Sequence, residues 1–397
     1  MFQRIGPRHR ARCWWSAVPL LLVAAGCDGL LTVENPGAIR DEDLDTPEGV
    51  AAVSAGVAGS FNAAYTSAAL WSALLSGELL HAGTAPAERN ASLGMVETEP
   101  GAYTALASAR WQADDAARRF RALLDDADRR PETASVLIYA GFSLVLLADN
   151  HCQIPLDGGP PHTPAEIYAE AEKRFTAALE VAAAAGDAQL EQRAYAGRAR
   201  ARLMQGKYAE ARSDAQRVSD GFVFLSIHGE TTQNNAFPAR TVSSIRREIS
   251  VHPRYYEDPR FQNDPRVPFV DNGELGVDGS TPFVEQLKYR SRSDNMEISS
   301  WQEARLIEAE AAARLGDPGS AVPLIDKVRA AAGLPPYDGP SSTEAILDQI
   351  VYERAAELFL EGQRLVDMRR FGDPWLEGRG TCFDVSQAER DGNPNMR

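Results

Sequence analysis

Ala199 to Ala211 spells a helix, a glycine turn and the start of a second helix: Ala-Arg-Ala-Arg-Leu-Met-Gln-Gly-Lys-Tyr-Ala-Glu-Ala. Alanines let paired helices approach closely, and Gly206 permits the sharp turn. Ala309 to Ala321 repeats the logic. One helix ends at Arg314-Leu315, the chain turns at Gly316-Asp317, and a helix resumes at Ala321-Val322. A helix pair cannot bury its apolar face alone, so a chain that repeats pairs must stack them. Richness in Ala, Leu, Glu and Arg through the long segments agrees. The expected class is mainly α.

The two copies resemble tetratricopeptide units, but they are not tandem. An irregular segment at about 221–296, frequent in Pro, Gly, Asn and aromatic residues, separates them. The architecture predicted is therefore one of interrupted tetratricopeptide-like helical repeats with loop-rich insertions. Thr46-Pro47 should cap and open a helix running to about Tyr65, with a second near Trp71–Leu80. Residues 81–101 read as a loop. Helices are expected near 104–128, 132–148, 165–185, 189–205 and 208–219, with a Pro- and Gly-rich loop at 150–164. Thr163 and Glu166 have capping-box spacing ahead of the third of these. Short strands are expected near Val242–Val251 and Phe283–Tyr289. Helices return at 301–315, 320–332 and 341–371, the last opened by a Ser341/Glu344 box and breakable at Gly362.

The amino terminus reads as an export signal over residues 1–26. Arg4, Arg8, Arg10 and Arg12 precede an apolar run from Trp14 to Ala25 that is too short to span a bilayer. It ends in Leu22-Val23-Ala24-Ala25-Gly26-Cys27, which resembles the lipobox of bacterial lipoproteins. Ala24 stands where leucine is usual. The reading is a diacylglycerol on Cys27 and a tether over 27–36; the alternative is an ordinary secretory signal that leaves Cys27 unmodified. Several acyl chains anchor firmly. The net charge is −15, and loss of the signal's arginines makes the mature chain more acidic still. Such a surface repels phosphate backbones, which argues against nucleic acid as a partner. Of four cysteines, Cys13 lies in the signal and Cys27 is the lipid site. Cys152 and Cys382 remain. In an oxidising compartment an even pair predicts one disulfide; the alternative is two buried thiols.

Glu353 to Gly372 reads Glu-Arg-Ala-Ala-Glu-Leu-Phe-Leu-Glu-Gly-Gln-Arg-Leu-Val-Asp-Met-Arg-Arg-Phe-Gly. Glu353, Glu357 and Glu361 recur against Arg354, Arg364 and Arg369 at helical spacing. The stretch resembles the hallmark of the SusD/RagB family of outer-membrane nutrient-uptake lipoproteins. Val328-Arg329-Ala330-Ala331-Ala332-Gly333-Leu334, and a tail from Phe383 that closes in Asn393-Pro394-Asn395, are similar to further family segments. So is the tether. The resemblance covers the whole mature chain, residues 37–397 forming a single SusD-like domain; many members are longer. It implies a non-enzymatic protein that binds a glycan or other nutrient at the cell surface and caps a SusC-like, TonB-dependent barrel in the outer membrane. It implies no catalysis.

The residues themselves leave two other readings open, a lipid-anchored glycosidase and a scaffold that binds only proteins. No HExxH, GxSxG, P-loop or dinucleotide fingerprint occurs, and the six histidines are scattered, so neither cofactor nor metal is expected. The Glu/Arg signature is read as structural. For a sugar binder the informative residues are exposed aromatics, which stack on pyranose faces. Tyr65, Trp71, Tyr103, Tyr255, Tyr256 and Phe261 are the candidates at loops or loop edges.

Overall fold

The computed structural model describes residues 41–96 and 102–396. The signal, the tether and Cys27 lie outside the described residues. The architecture is mainly α. Thr46 accepts a hydrogen bond from the Gly49 amide and Pro47 occupies the first position of a single helical turn. That turn runs directly into α1 (Val50–Ser76). A break between Tyr65 and Trp71 is not seen; α1 is one 27-residue helix. Thr66 does not interrupt it, because its hydroxyl accepts from the Ala236 amide instead of competing with the helix. β1 (Leu79–His81) replaces the end of the second expected helix, and the stretch read as loop contains α2 (Pro86–Ser92), with Pro86 at the favoured first position.

Next come α3 (Ala102–Leu123), α4 (Pro131–Asn150) and the short hairpin β2 (Ile154–Pro155) with β3 (Pro161–His162). The Thr163/Glu166 capping box forms as expected and opens α5 (Pro164–Ala185). α6 (Ala188–Met204) and α7 (Tyr208–Ala215) make the first glycine-hinged pair, Gly206 adopting φ 72°. The irregular segment holds β4 (Val223–Ser226), α8 (Pro238–Thr241), β5 (Ile249–Val251), α9 (Pro253–Tyr256), α10 (Pro259–Gln262), β6 (Phe269–Leu275), β7 (Pro282–Gln286) and β8 (Met296–Ser300). Its strands pair antiparallel, β1 with β5, β4 with β8 and β6 with β7. The second pair is α11 (Trp301–Arg314) and α12 (Val322–Ala331), with Gly316 at φ 86°. α13 (Thr343–Glu357) is capped by Ser342, not Ser341. Gly362, at φ 78°, separates it from α14 (Arg364–Phe371), and α15 (Gln387–Gly392) closes the tail.

Each long helix packs on the next, α3 on α4, α4 on α5, α5 on α6 and α6 on α7. α7 then packs directly on α11, so the insertion leaves the helical succession unbroken. α4 is long and apolar enough to cross a membrane, yet 83% of its most apolar window is buried inside the fold. Two glycines make its packing possible. A Cβ on Gly141 of α4 would sit 2.7 Å from the Phe175 ring, and one on Gly197 of α6 would sit 2.3 Å from it. Both backbones therefore close on one aromatic side chain of α5.

Asp149, near the end of α4, is buried and accepts from the Tyr168 hydroxyl at 2.6 Å. Burial pushes its carboxyl up to about 6, outweighing the Tyr168 hydrogen bond and the nearby Arg200 and Arg369 charges. The folded state thus holds a proton that the unfolded chain releases at ordinary carboxylate pH. Stability attributable to this group should fall as pH rises from about 4 to 6, by roughly 2–3 kcal/mol. Urea melts across that range are expected to show the slope, and Asp149→Asn to flatten it.

Cys152 and Cys382 form a disulfide with Cα atoms 5.3 Å apart. Backbone hydrogen bonds flank it, from Cys152 N to Phe383 O (3.0 Å) and from Phe383 N to Asn150 O (2.7 Å). The bridge spans 230 residues, for which chain entropy gives about 5 kcal/mol, measured gains often being smaller. The Cys152→Ser/Cys382→Ser protein is expected to melt several degrees lower. Labelling of the denatured, unreduced wild type should find neither thiol; stoichiometric labelling of both would refute the bridge.

Candidate functional site

Five of the six aromatic candidates are core residues. Tyr65 lies inside α1, its hydroxyl donating to the carbonyls of Glu297 and Glu361. Trp71 meets Phe383 edge to face at 5.9 Å. Tyr103 donates to the Pro155 carbonyl (3.1 Å) and packs edge-on against His151. Tyr255 is held between Phe261 (4.7 Å) and Phe359 (5.1 Å). Phe261 also packs on Tyr352, 5.3 Å away. None of these rings presents a free face. The physical reason is that Tyr65 lies mid-helix on α1, and the other four sit where helices meet the core, not where the chain leaves it. Tyr256 is half-buried against the core.

Tyr255 and Phe261 do reach the edge of a cavity of about 550 Å³ beside α9, α10 and α13. Its polar floor is a pair of guanidiniums, Arg254 and Arg364, that share Asp373 at 3.0 Å each. The faces of Tyr255 and Phe261 are covered by neighbouring rings, and the half-buried Tyr352 on the same wall packs on Phe261.

Among the described residues the exposed aromatic lies elsewhere. Trp111 on α3 is 53% exposed and lines a cleft of about 580 Å³ between α3 and α5. The buried stripe of α3 is Tyr103, Leu106, Ala109, Arg110, Ala113, Ala116, Ala117 and Phe120. Trp111 sits about 200° around the helix from Ala113, well off that stripe. The sequence carried this signal: an indole on the polar side of an amphipathic helix has no core to enter. Reading aromatics by loop position missed it.

Charged pairs fix the cleft around the indole. Arg110 donates to both oxygens of Asp157, at 2.6 and 3.0 Å. Arg174 on α5 donates to both oxygens of Asp114, at 2.7 and 3.2 Å. Burial works against the Arg110 charge, but the Asp157 and Asp114 carboxylates more than offset it and hold the guanidinium charged. Asp157 adopts φ 54° in the turn between β2 and β3, a left-handed conformation that aspartate tolerates better than most residues. The tail secures that turn. Asn393 donates to the Gly159 carbonyl and Asn395 to the Gly158 carbonyl, each at 2.9 Å. The disulfide ties the start of the same loop to the same tail. So the closing Asn-Pro-Asn segment acts on the cleft through the backbone that carries Asp157.

The Glu/Arg signature lies away from this cleft. Its charges do not pair along one helix as the spacing suggested. Glu353 receives Arg266 (2.6 Å) and Arg329 (2.7 Å), Glu361 receives Lys288 (2.7 Å), and Arg354 donates to Asp367 (2.7 Å). Arg370 bridges Asp367 and Glu310. Each charge reaches to another element, so the lattice fastens α13 and α14 to α11 and to the insertion. Among the described residues no group of His, Cys, Asp and Glu could hold a metal ion.

Residues 303–396 match the profile of the SusD family. The chain has the SusD fold and carries the SusD family signature at its carboxyl-terminal end. Solved structures agree over most of the chain. A SusD superfamily protein from Bacteroides thetaiotaomicron superposes with a TM-score of 0.67 at 16% identity, covering 89% of this chain and 98% of that one. One from Bacteroides fragilis gives 0.68 at 13% identity, with coverage of 89% and 99%. A SusD-like carbohydrate binding protein from Bacteroides vulgatus gives 0.62 at 16% identity, covering 81% and 83%. No curated protein matches the sequence at a significant level.

Arg354 is fully buried and Asp367 nearly so. Arg354→Ala would leave the Asp367 carboxylate short of a partner in the interior. A loss of about 3–5 kcal/mol is expected, read by urea denaturation, with ligand binding by the remaining folded protein unchanged. Full stability with lost binding would reverse the structural assignment of this helix pair.

Proposed function

We propose that this protein is a non-enzymatic, surface-displayed glycan-binding lipoprotein that hands its ligand to a SusC-like, TonB-dependent transporter in the outer membrane. The observation that carries the reading is Trp111, an exposed indole on the wall of a cleft whose polar groups are held in place by paired charges. An aromatic face beside fixed donors and acceptors suits a pyranose, which has an apolar face and a hydroxylated rim. The fold it shares with a carbohydrate binding protein supports this. So does the disulfide, which belongs to an oxidising, extracytoplasmic setting. The lipid on Cys27 supplies the anchor, and the transporter is the partner that capture without turnover requires.

Binding is favoured over hydrolysis by the state of the cleft's acids. Asp157, Asp114 and Asp115 each meet a guanidinium. A glycosidase needs one carboxyl free to protonate the leaving oxygen and a second facing it across the sugar. In the cleft the acids are committed to arginines.

The test is a glycan array and calorimetry on the mature chain carrying Cys27→Ala, which should appear in the soluble fraction while the wild type stays with membranes. Glycan Kd values of micromolar to millimolar are expected for a shallow site. Trp111→Ala should weaken binding at least ten-fold, and Trp71→Ala should lower the Tm without a selective loss of binding. Ligand recovered after incubation should be chemically unchanged. Glycan binding indifferent to Trp111, or a shortened product, would defeat the reading.

A further inference from the structure

The whole chain is acidic, with a net charge of −15, yet the Trp111 cleft is not. Its charged lining holds Arg110, Arg118, Arg121, Lys173 and Arg174 against Asp114, Asp115 and Asp157. The two sets play different parts. Arg110 and Arg174 lie deeper and are occupied by bidentate carboxylates. Arg118, Lys173 and Arg121 form the rim, their side chains 74%, 67% and 42% exposed.

Each rim cation has a single acid partner. Arg118 pairs with Asp115 and Lys173 with Glu170, each three residues away on its own helix. Arg121 pairs with Asp128, itself largely exposed. Exposed ion pairs of this kind gain little over solvated charges and exchange readily. The acids of the lining are more firmly committed. Asp114 is held by Arg174 and Arg110 and Asp157 by Arg110, while Asp115 keeps a weaker contact to Arg119 at 3.8 Å when Arg118 turns away. What an incoming ligand meets is therefore an indole and three exposed cations.

Their spacing follows from the helix. Trp111 and Arg118 are seven residues apart, two turns along the same face of α3, or about 10 Å along the axis. Arg121 lies one further turn on, and Lys173 stands on α5 across the cleft. A sugar stacked on Trp111 leaves its neighbours in the chain beside the cations.

We propose that the cleft takes an acidic oligosaccharide, one whose sugars bear carboxylate or sulfate groups. The proposal rests on the glycan-capture reading and adds the charge class of the ligand. An acidic glycan is repelled by the chain as a whole. Within a Debye length, about 10 Å at 0.1 M salt, the rim cations reverse that repulsion locally. A neutral glycan can accept hydrogen bonds from these groups but gains no charge attraction from three exposed cations gathered beside one indole.

The experiment titrates the mature chain carrying Cys27→Ala with two matched pairs at 20 and 200 mM NaCl. One pair is tetragalacturonate and its methyl ester; the other is a κ-carrageenan tetrasaccharide, which carries sulfate and no carboxylate, and its desulfated form. In at least one pair the acid form is expected to bind ten-fold tighter than its neutral partner at low salt, with the gap narrowing at high salt. The pair that responds tells carboxylate from sulfate. Arg118→Ala with Lys173→Ala should bring acid and neutral forms to similar affinity, and Trp111→Ala should weaken the acid form. Both rim side chains are exposed, and a matching thermal melt confirms the fold. Equal affinity within both pairs, binding of neither acid form, or an acid preference that survives the double variant overturns the proposal. Neutral-form binding that still needs Trp111 overturns the acidic class and leaves glycan capture standing. Probe binding that ignores Trp111 overturns both.

Discussion

α4 is the constraint around which the rest is arranged. It has almost no polar face to give to water, and nearly every residue from Thr133 to Asn150 is buried. A helix that is apolar all round must be enclosed on every side. α1, α3, α5, α6 and α14 provide the enclosure. Close approach to α5 and α6 then needs space at two points, and Gly141 and Gly197 leave it for Phe175. With α4 central, α3 and α5 must lie on neighbouring flanks of it. The cleft between those flanks, with Trp111 on its wall, is a consequence of that placement.

The end of α4 also ties the site to the carboxyl terminus. The chain leaves the core at Asn150 and meets the tail at once, through the Phe383 hydrogen bonds and the Cys152–Cys382 bridge. A few residues on, the turn carrying Asp157 is held by Asn393 and Asn395. Asp157 in turn fixes Arg110, which borders Trp111 in sequence. The closing segment that marks the family thus supports the floor of a cleft built almost entirely from the amino-terminal half. The Glu/Arg signature does a separate job, holding α13 and α14 against α11 and the insertion.

How far the sequence could be read depended on the range of the interaction. Local signals were legible. The Thr163/Glu166 box, the Gly206 and Gly316 turns and the break at Gly362 all appear where backbone chemistry requires them. The Cys152–Cys382 pairing followed from compartment and elimination. Errors arose where a tertiary partner overrides a local preference. Thr66 continues α1 because Ala236 supplies a partner for its hydroxyl, and Glu361 turns to Lys288, a residue of the insertion. Five of the six aromatic candidates proved to be core residues for a related reason. Tyr65 and Tyr255 sit at points where segments distant in sequence converge, which no local pattern reveals. Trp111 was readable from helical phase alone.

The division between buried and exposed charge separates what stabilises this protein from what it can bind. Interior ions such as Arg200 with Glu303, or Arg354 with Asp367, are matched at 2.6–2.7 Å and nearly inaccessible. Removing either partner strands the other, so these charges are fixed by folding and cannot serve a ligand. The cations at the rim of the α3–α5 cleft are the opposite case. Their side chains are exposed, and their partners lie a single turn away on the same helix, where a ligand can compete for the cation. A protein that must capture and then release needs its binding groups to be of this second kind. Interactions that hold the fold are too costly to break at each cycle of the proposed capture, whereas a stacked indole and a few exposed cations can engage and let go without disturbing the core. The same division explains why the family signature, though the most recognisable part of the chain, says little about the ligand.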